Sequence, residues 1–542
     1  MSDGLAAGSE PVQGALRSRF FSSWVLLVVL FGLALTLRLS FAHRGVFFPD
    51  SSTYLSISRA IVHGQLSTTF RGGVPTYLPP LYPLATTLFY PVIGDMEGAG
   101  VFVSLLAGAL LVLPIFLLAR SLYGSKAAWI ASVLVAINPL MVKWSLHILT
   151  EALFILAYVS AAAVGWKALK EQRRGLFFFA GGLCALAYLT RLIGITLLPV
   201  LLFWTAVFAA RHRRGIKPAA VSLGALGLGF LILAAPYWIY IHQETGQWSL
   251  APYYDVIHTM ATSGADSAED TTLKTDGVSP GVFSKIQVNF RTYVTALTKT
   301  LSVSLLFIAM IVLVEGYRQR LAAFLTSGSI YVLTMIASYF SAILLWIPVP
   351  SSVEHVRYIS PLIPFFLLLA SGGIVAAVER VPRGQSLLLA AAVAALVVSF
   401  VIQLRYVPGL RNFPAPWQPV PTPRYQVFGA WIKERVPGPR VMMARNPHIP
   451  YYSDSTWFMT PTTLPEVLKL AQSKRVDYLI VDRTVDGRLR PELAFLLDPQ
   501  RAPKNFELIA AQQLEQGPIM TVLYRMKRDS ENDGKPIDAS SP

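Results

Sequence analysis

The sequence predicts an α-helical polytopic membrane protein with about eleven transmembrane helices, interfacial helices in its first outer loop, and a small C-terminal α/β extracytoplasmic domain. Three observations carry this. Of its 542 residues 54% are hydrophobic and only 14% charged, against about 25% charged in a soluble protein. Lys and Arg are concentrated in every second connection between apolar runs, as in cytoplasmic loops. From about residue 411 the composition turns proline-rich and then polar, with strand and helix patterns in alternation. The net charge of +16 would suggest nucleic acid in a soluble chain. Here the basic residues punctuate apolar runs, so no nucleic-acid partner is expected. Cys184 is the one cysteine, which excludes an intrachain disulfide.

Residues 1–20 read as a cytoplasmic tail, with Arg17 and Arg19 just before the first apolar run. That run is long and no small-residue cleavage site follows it, so it reads as span 1, over about 21–41, and not as a signal peptide. Arg38 lies in its last turn, where it is expected to snorkel outward. The segment 43–94 follows. Ser51 to Ile61 has a helical pattern, with Tyr54, Leu55, Ser58 and Ile61 near one face, as in an amphipathic helix lying in the interface. Pro79-Pro80 fixes an extended or turned backbone, and Leu81–Tyr90 reads as a second surface helix. Further spans are expected at about 99–119, 127–142, 148–166, 176–190, 192–210, 218–240, 298–314, 320–346, 358–378 and 385–405. The region 242–296 is too polar to span.

Orientation follows from the basic residues. Arg120 and Lys126, Lys167 to Arg174, Arg211 to Lys217, Arg318 and Arg320, and Arg380 and Arg383 form one set of connections; the other short loops hold only Lys143, Arg191 and Arg357. The first set is assigned to the cytoplasm. The Asp50 segment, the 242–296 loop and everything after the last span then face outward. The expected organisation is a transmembrane domain over 21–410, a Pro-rich linker over 411–424, a soluble domain over 425–527 and a disordered tail over 528–542. Within the soluble domain the patterns give a helix over Tyr425–Arg435, a strand over Arg440–Ala444, a helix over Leu464–Lys474, and strands over Asp477–Asp482, Phe506–Ala510 and Met520–Arg525. Tyr451, Tyr452 and Trp457 could stack on sugars, although such aromatics are more often core. Neither an internal repeat nor a nucleotide-binding fingerprint is present.

Several polar residues fall at outer span ends: Asp50 and Arg59; Lys143, His147, Thr150 and Glu151; Arg191; and Glu354, His355, Arg357 and Tyr358. Ionisable groups beside hydrocarbon usually line a cavity or a substrate path; snorkelling and structural ion pairs are the plainer reading of any one of them. Their clustering on one side of the membrane favours a site. A divalent metal there would use Asp50, Glu151 and His147 or His355, but the spacings form no metal signature and no cofactor is otherwise called for.

Phe48-Pro49-Asp50-Ser51-Ser52-Thr53-Tyr54, Pro79-Pro80-Leu81-Tyr82-Pro83, Leu149-Thr150-Glu151-Ala152-Leu153-Phe154, Leu189-Thr190-Arg191 and Arg357-Tyr358-Ile359-Ser360-Pro361-Leu362-Ile363-Pro364 occur in this order. In these motifs, over about 43–380, the chain resembles membrane glycosyltransferases of the C superfamily, in particular the protein O-mannosyltransferase and aminoarabinose-transferase group. The resemblance implies a multi-pass protein of the cell (plasma or inner) membrane that moves a sugar from a polyprenyl-phosphate donor to a glycan, lipid or protein acceptor at the outer face. In such enzymes an acidic residue of the first outer loop acts on the acceptor, and Asp50 occupies that place. Many members carry two consecutive acidic residues there, whereas this chain has Asp50-Ser51. Their second acidic position matches Glu151.

The chemistry agrees with the residue types. An acceptor hydroxyl needs a base, which a carboxylate supplies, and arginine holds a departing phosphate bidentately. Asp50 is the expected base, Arg59, Arg191 and Arg357 the expected phosphate ligands, and Glu151, His147, His355 and Tyr358 the supporting residues. The alternatives are a transporter or flippase of lipid-linked glycans, which would want charged or broken spans near the midplane, and a scaffold presenting the C-terminal domain.

Overall fold

The structure, a computed structural model, describes residues 10–42, 48–64, 78–211, 216–252, 282–301, 328–346, 355–380, 385–403, 423–513 and 517–527. The expected tail at 528–542, the linker at 411–422, and most of the span expected at 298–314 lie outside the described residues.

Helix α1 (Glu10–Ser40) already begins inside the segment read as a tail. No proline after Pro11 and no glycine pair interrupts its first turns, so nothing in the sequence stops the helix there. The first loop folds into α2 (Pro49–Val62) and α3 (Leu81–Ile93). The bundle continues through α4 (Met96–Leu110), α5 (Val112–Ile137), α6 (Pro139–Ser145), α7 (Glu151–Glu171), α8 (Arg174–Thr190), α9 (Leu197–Arg211) and α10 (Ile216–Thr245). Helices Val282–Leu301, Gly328–Trp346, Ile363–Arg380 and Gln385–Gln403 follow.

Six helical stretches among the described residues are long and apolar enough to cross a membrane: Met96–Ile137, Glu151–Glu171, Leu192–Arg211, Ile216–Thr245, Gly328–Trp346 and Val356–Glu379. The first, of 42 residues, is broken at Gly124, whose φ of 86° lies in the left-handed region, so it supplies two of the expected spans. Shorter apolar helices at Trp24–Ser40, Arg174–Thr190 and Ala390–Gln403 lie where further spans are expected.

Three local expectations are corrected. The surface-helix reading of α2 fails because Ser51 to Leu55 are all buried, which takes in every face of the helix. It is covered by its neighbours: Tyr54 packs on Tyr82 of α3 at 5.4 Å, and the Ser58 hydroxyl donates to the Pro83 carbonyl at 3.2 Å. Val282–Leu301, whose first 15 residues fall inside the region read as an outer loop, is an amphipathic helix with Asn289, Tyr293, Ala296 and Thr300 buried along one stripe. Its Lys, Arg and Asn lower the average hydropathy and hide that stripe.

Arg38 is the third. It does not snorkel but is fully buried. Its Nε donates to Ser145 Oγ at 3.1 Å, and one terminal nitrogen donates to the carbonyls of Ala34 and Ala136, each at 3.0 Å. Ala136 and Ser145 stand at the C-terminal ends of α5 and α6, and Arg38 is in the last turn of α1. Two helix C-termini, which carry partial negative charge, therefore face the guanidinium, while its second terminal nitrogen has no hydrogen-bond partner among the described residues. Gly108 makes the room: a Cβ there would stand 1.9 Å from Ser145 Oγ and 3.0 Å from Arg38 Nε.

The C-terminal domain is a five-stranded mixed sheet of order β2-β1-β3-β5-β4, from β1 (Val441–Ala444), β2 (Thr456–Met459), β3 (Tyr478–Asp482), β4 (Phe506–Gln513) and β5 (Ile519–Met526). Strands β2, β1 and β3 are parallel, and β5 runs antiparallel to β3 and β4. The short edge strand β2 has no counterpart among the sequence expectations. Helix Pro423–Arg435 packs on one face and Leu464–Lys474, closed by a Thr463/Glu466 capping box, on the other. Trp457 and Tyr451 are buried, and the Trp457 indole donates to the Ala444 carbonyl, so both are core.

Two predictions follow from this packing. Arg38→Lys keeps the charge but loses the planar fork. It should cost roughly 1.5–3 kcal/mol, the range of a charge-assisted hydrogen bond, read as earlier thermal loss of monodisperse protein in detergent; an unchanged midpoint would remove the capping role. In the soluble domain, Asp486 is buried, and this burial pushes its carboxyl from the ordinary 3.8 up to about 7, although the Asp482 N–H, Arg490 and Arg445 pull it back. The folded state thus holds a proton that the unfolded state releases. Its stabilising contribution is full below about pH 4 and is lost as pH rises through about 7. Asp486→Asn should therefore gain resistance to proteolysis of this domain, relative to wild type, more at pH 8 than at pH 5. An equal gain at both pH values would contradict the protonated carboxyl.

Candidate functional site

Four elements converge at one end of the bundle. Helix α2 begins after Phe48, whose extended backbone (φ −111°, ψ 147°) and the following Pro49 set the first turn, and Asp50 stands in that turn. Glu151 is the first residue of α7. Arg191 terminates the antiparallel α8 in an extended conformation (φ −148°, ψ 129°), before the 3-10 turn Leu192–Thr196. Arg357 sits on the short helix His355–Ile359 that leads through Ser360–Leu362 into Ile363–Arg380. The start of α7, the end of α8 and the start of the later span fall on the same side because the helices run up and down.

The side chains form one chain of charges, Asp50–Arg357–Glu151–Arg191. Arg357 donates from a terminal nitrogen to Asp50 Oδ2 at 2.8 Å. Its Nε donates to Glu151 Oε1, which also accepts from Arg191 at 2.6 Å. Glu151 is fully buried and its Oε2 has no hydrogen-bond partner among the described residues. Asp50 is different: its side chain is 47% exposed. Two carboxylates and two guanidiniums balance. The Arg191 guanidinium lies 5.7 Å from the Tyr358 ring and 5.9 Å from that of Phe154. Tyr358 is fixed in turn by its carbonyl, which accepts from Tyr339 at 3.1 Å.

His147 packs edge-on against Phe48 at 5.2 Å, beside the start of α2. The His355 side chain and Glu354 lie outside the described residues. Arg59 is not brought to this cluster. It lies nine residues after Asp50, which on a helix is about 13 Å along the axis and on the opposite face; its guanidinium pairs with Asp454 of the C-terminal domain at 2.9 Å. Among the described residues no three His, Cys, Asp or Glu side chains gather where they could hold a metal ion. With Glu151 shared by two arginines and Asp50 paired with one, the described residues of this cluster do not fit a divalent cation.

Sequence reasoning missed two contributors. Tyr54, one turn after Asp50 on the same face, is buried within electrostatic reach of Asp50, Arg357, Glu151 and Arg191; its i+4 spacing was the available signal. Ser360 accepts from the Trp144 indole at 2.6 Å and so ties the Arg357 segment to α6, a contact 216 residues apart in sequence that no local pattern announces.

The opposite end of the bundle is basic. Lys126 pairs with Glu379 at 3.1 Å, and Lys170 donates to the Ser121 carbonyl at 2.7 Å. The ion chain and the Lys-rich connections thus lie at opposite ends of the spans.

Residues 78–240, less than a third of the chain, match the family described as dolichyl-phosphate-mannose-protein mannosyltransferase. That segment includes Glu151 and Arg191 and leaves out Asp50 and Arg357. No curated relative matches the chain. Among solved structures, the chain is similar to ArnT from Cupriavidus metallidurans bound to undecaprenyl phosphate, with a TM-score of 0.56 and 14% identity over 93% of this chain and 98% of that one. It is similar to the oligosaccharyltransferase AglB from Archaeoglobus fulgidus in complex with an inhibitory peptide and a dolichol-phosphate, with a TM-score of 0.56 and 12% identity over 96% of this chain and 75% of that one. A third similarity is to the arabinofuranosyltransferase AftD from Mycobacteria, with a TM-score of 0.51 and 13% identity over 93% of this chain and 41% of that one. The chain therefore has the fold of the membrane glycosyltransferases of the C superfamily.

Proposed function

We propose that the protein transfers a sugar from a polyprenyl-phosphate donor to an acceptor hydroxyl at the outer face of the membrane, with Asp50 as general base. The observation that carries this is the contrast within the ion chain: Asp50 is half-exposed, while Glu151 is fully buried between two arginines. One Asp50 oxygen is oriented by Arg357, and the carboxylate still reaches solvent, where an acceptor can meet it. Two of the similar structures were solved with a polyprenyl or dolichol phosphate, which supports the donor class.

In the proposed reaction the acceptor oxygen bonds to the anomeric carbon and its proton passes to Asp50. The bond between that carbon and the phosphate oxygen breaks, and the lipid phosphate leaves with the electron pair. A guanidinium has five N–H donors, and the ion pairs above use two of Arg357's and one of Arg191's. The remaining donors are assigned to the leaving phosphate. Arg59, engaged at the C-terminal domain, is given no part in it. Glu151 is assigned the task of holding the two arginines in place, because a fully buried carboxylate shared by two cations is a poor proton acceptor.

This reading places the 425–527 domain and the ion chain outside the cell, and the Lys-rich end in the cytoplasm. A cysteine at the exposed Lys469 should react with an impermeant maleimide on intact cells, since the native Cys184 is buried. Labelling only after permeabilisation would invert the topology and remove the site from its donor.

The base is tested with undecaprenyl-phosphate hexoses and pentoses as donors. Asp50→Asn should lower single-turnover transfer by at least about a hundredfold with undecaprenyl-phosphate affinity kept. Glu151→Gln leaves two buried cations sharing a neutral amide, so it should lose donor affinity or thermal stability as well as turnover. Near-normal transfer in Asp50→Asn would overturn the assignment.

A further inference from the structure

Helix α2 is held at both ends by groups far away in sequence. Its first turn presents Asp50 to Arg357. Its last turn presents Arg59 to the C-terminal domain, where the guanidinium pairs with Asp454 at 2.9 Å, donates to the Tyr451 carbonyl at 3.3 Å and lies 4.5 Å from the centre of the Tyr451 ring. Asp454 stands in the left-handed region at φ 56° and is also 3.7 Å from Lys433, on the Pro423–Arg435 helix. One segment of the soluble domain, residues 451–454, therefore meets α2, and Lys433 braces it from behind through Asp454. The contact has an apolar base: Tyr451 is buried within the transmembrane core cluster and Tyr452 packs against it. On its far side the segment is locked to its own domain, since a Cβ at Gly429 would stand 2.5 Å from Tyr452 Cβ.

We infer that Arg59 and Asp454 are positioning residues for the proposed transfer: the C-terminal domain, through this clasp, fixes α2 along its axis and so sets Asp50 against Arg357. This rests on the proposed role of Asp50. A helix of 14 residues is a rod of about 20 Å. A small shift at the Arg59 end is carried to the Asp50 end with little loss. A general base displaced by about 1 Å loses much of its effect, whereas the two arginines proposed to hold the lipid phosphate are both anchored by Glu151 of α7. The clasp should therefore act on the rate of transfer and leave donor binding alone.

The test uses the full-length protein with undecaprenyl-phosphate sugars for turnover and undecaprenyl phosphate alone for binding. Arg59→Gln and Asp454→Asn should each lower kcat by about two- to fivefold, with KM for the donor and affinity for undecaprenyl phosphate unchanged. Arg59→Lys, which keeps a cation facing Asp454 and the Tyr451 ring, should recover most of the loss, which a general loss of folding would not allow. Should Arg59→Gln or Asp454→Asn fail to fold, Arg59→Lys decides: folded with near-wild-type kcat supports the clasp, folded with a kcat lowered by about twofold or more overturns it. Wild-type kcat in both Arg59→Gln and Asp454→Asn, or a raised KM at unchanged kcat, also overturns it. If those variants are normal while Asp50→Asn is inactive, only the clasp fails. If Asp50→Asn is itself active, the catalytic reading fails and the clasp with it.

Discussion

The charge array at the Asp50 end of the bundle is organised around one buried oxygen, Glu151 Oε1, which accepts from Arg191 and Arg357 at once. Two guanidiniums meeting one atom stand about 5 Å apart and, without it, would repel by about 3 kcal/mol at an effective dielectric of 20. With it, the start of α7, the end of α8 and the short helix before the later span are joined by charge-assisted bonds as well as by apolar packing. Asp50 is the last member of the array and the one that reaches solvent. In the proposed transfer, that gradient, from a carboxylate sealed between cations to one half-open, would let a single array separate holding from reacting.

The sequence made the ends of the spans legible and left their partners obscure. Asp50, Glu151, Arg191 and Arg357 stand out because charges are rare in an apolar chain and all four fall at the same side of the Lys/Arg alternation. Which of them pair is tertiary information: Arg357 and Asp50 are 307 residues apart. The place of Arg59 was hidden for the same reason, since its carboxylate partner is 395 residues away in another domain. Rules for isolated helices fail where helices meet. The snorkelling expected of Arg38 treats α1 as alone in lipid, whereas the ends of α5 and α6 supply it with a polar interior. In the soluble domain the longer strands were readable, and the edge strand Thr456–Met459 was not: Thr, Trp and Phe favour strands, but four residues are too few to show an alternating pattern.

The two domains are also more dependent on each other than their compositions suggest. The proline-rich boundary reads as a separable linker, yet Tyr451 of the soluble domain is part of the transmembrane core and Leu78 of the first loop packs against both the transmembrane core and the domain. A soluble module tethered by a flexible arm would present a polar face to the membrane domain. This one presents two tyrosines and a carboxylate.

The burial of Arg38 has a consequence for biogenesis. The groups that satisfy it, the Ala136 carbonyl and Ser145 hydroxyl, lie 98 and 107 residues downstream, so they do not exist when α1 first leaves the ribosome. A guanidinium in the hydrocarbon core at that stage would cost several kcal/mol. The first helix can therefore take up its final packing only once α5 and α6 have been made: the first helix of the bundle is not the first to be seated.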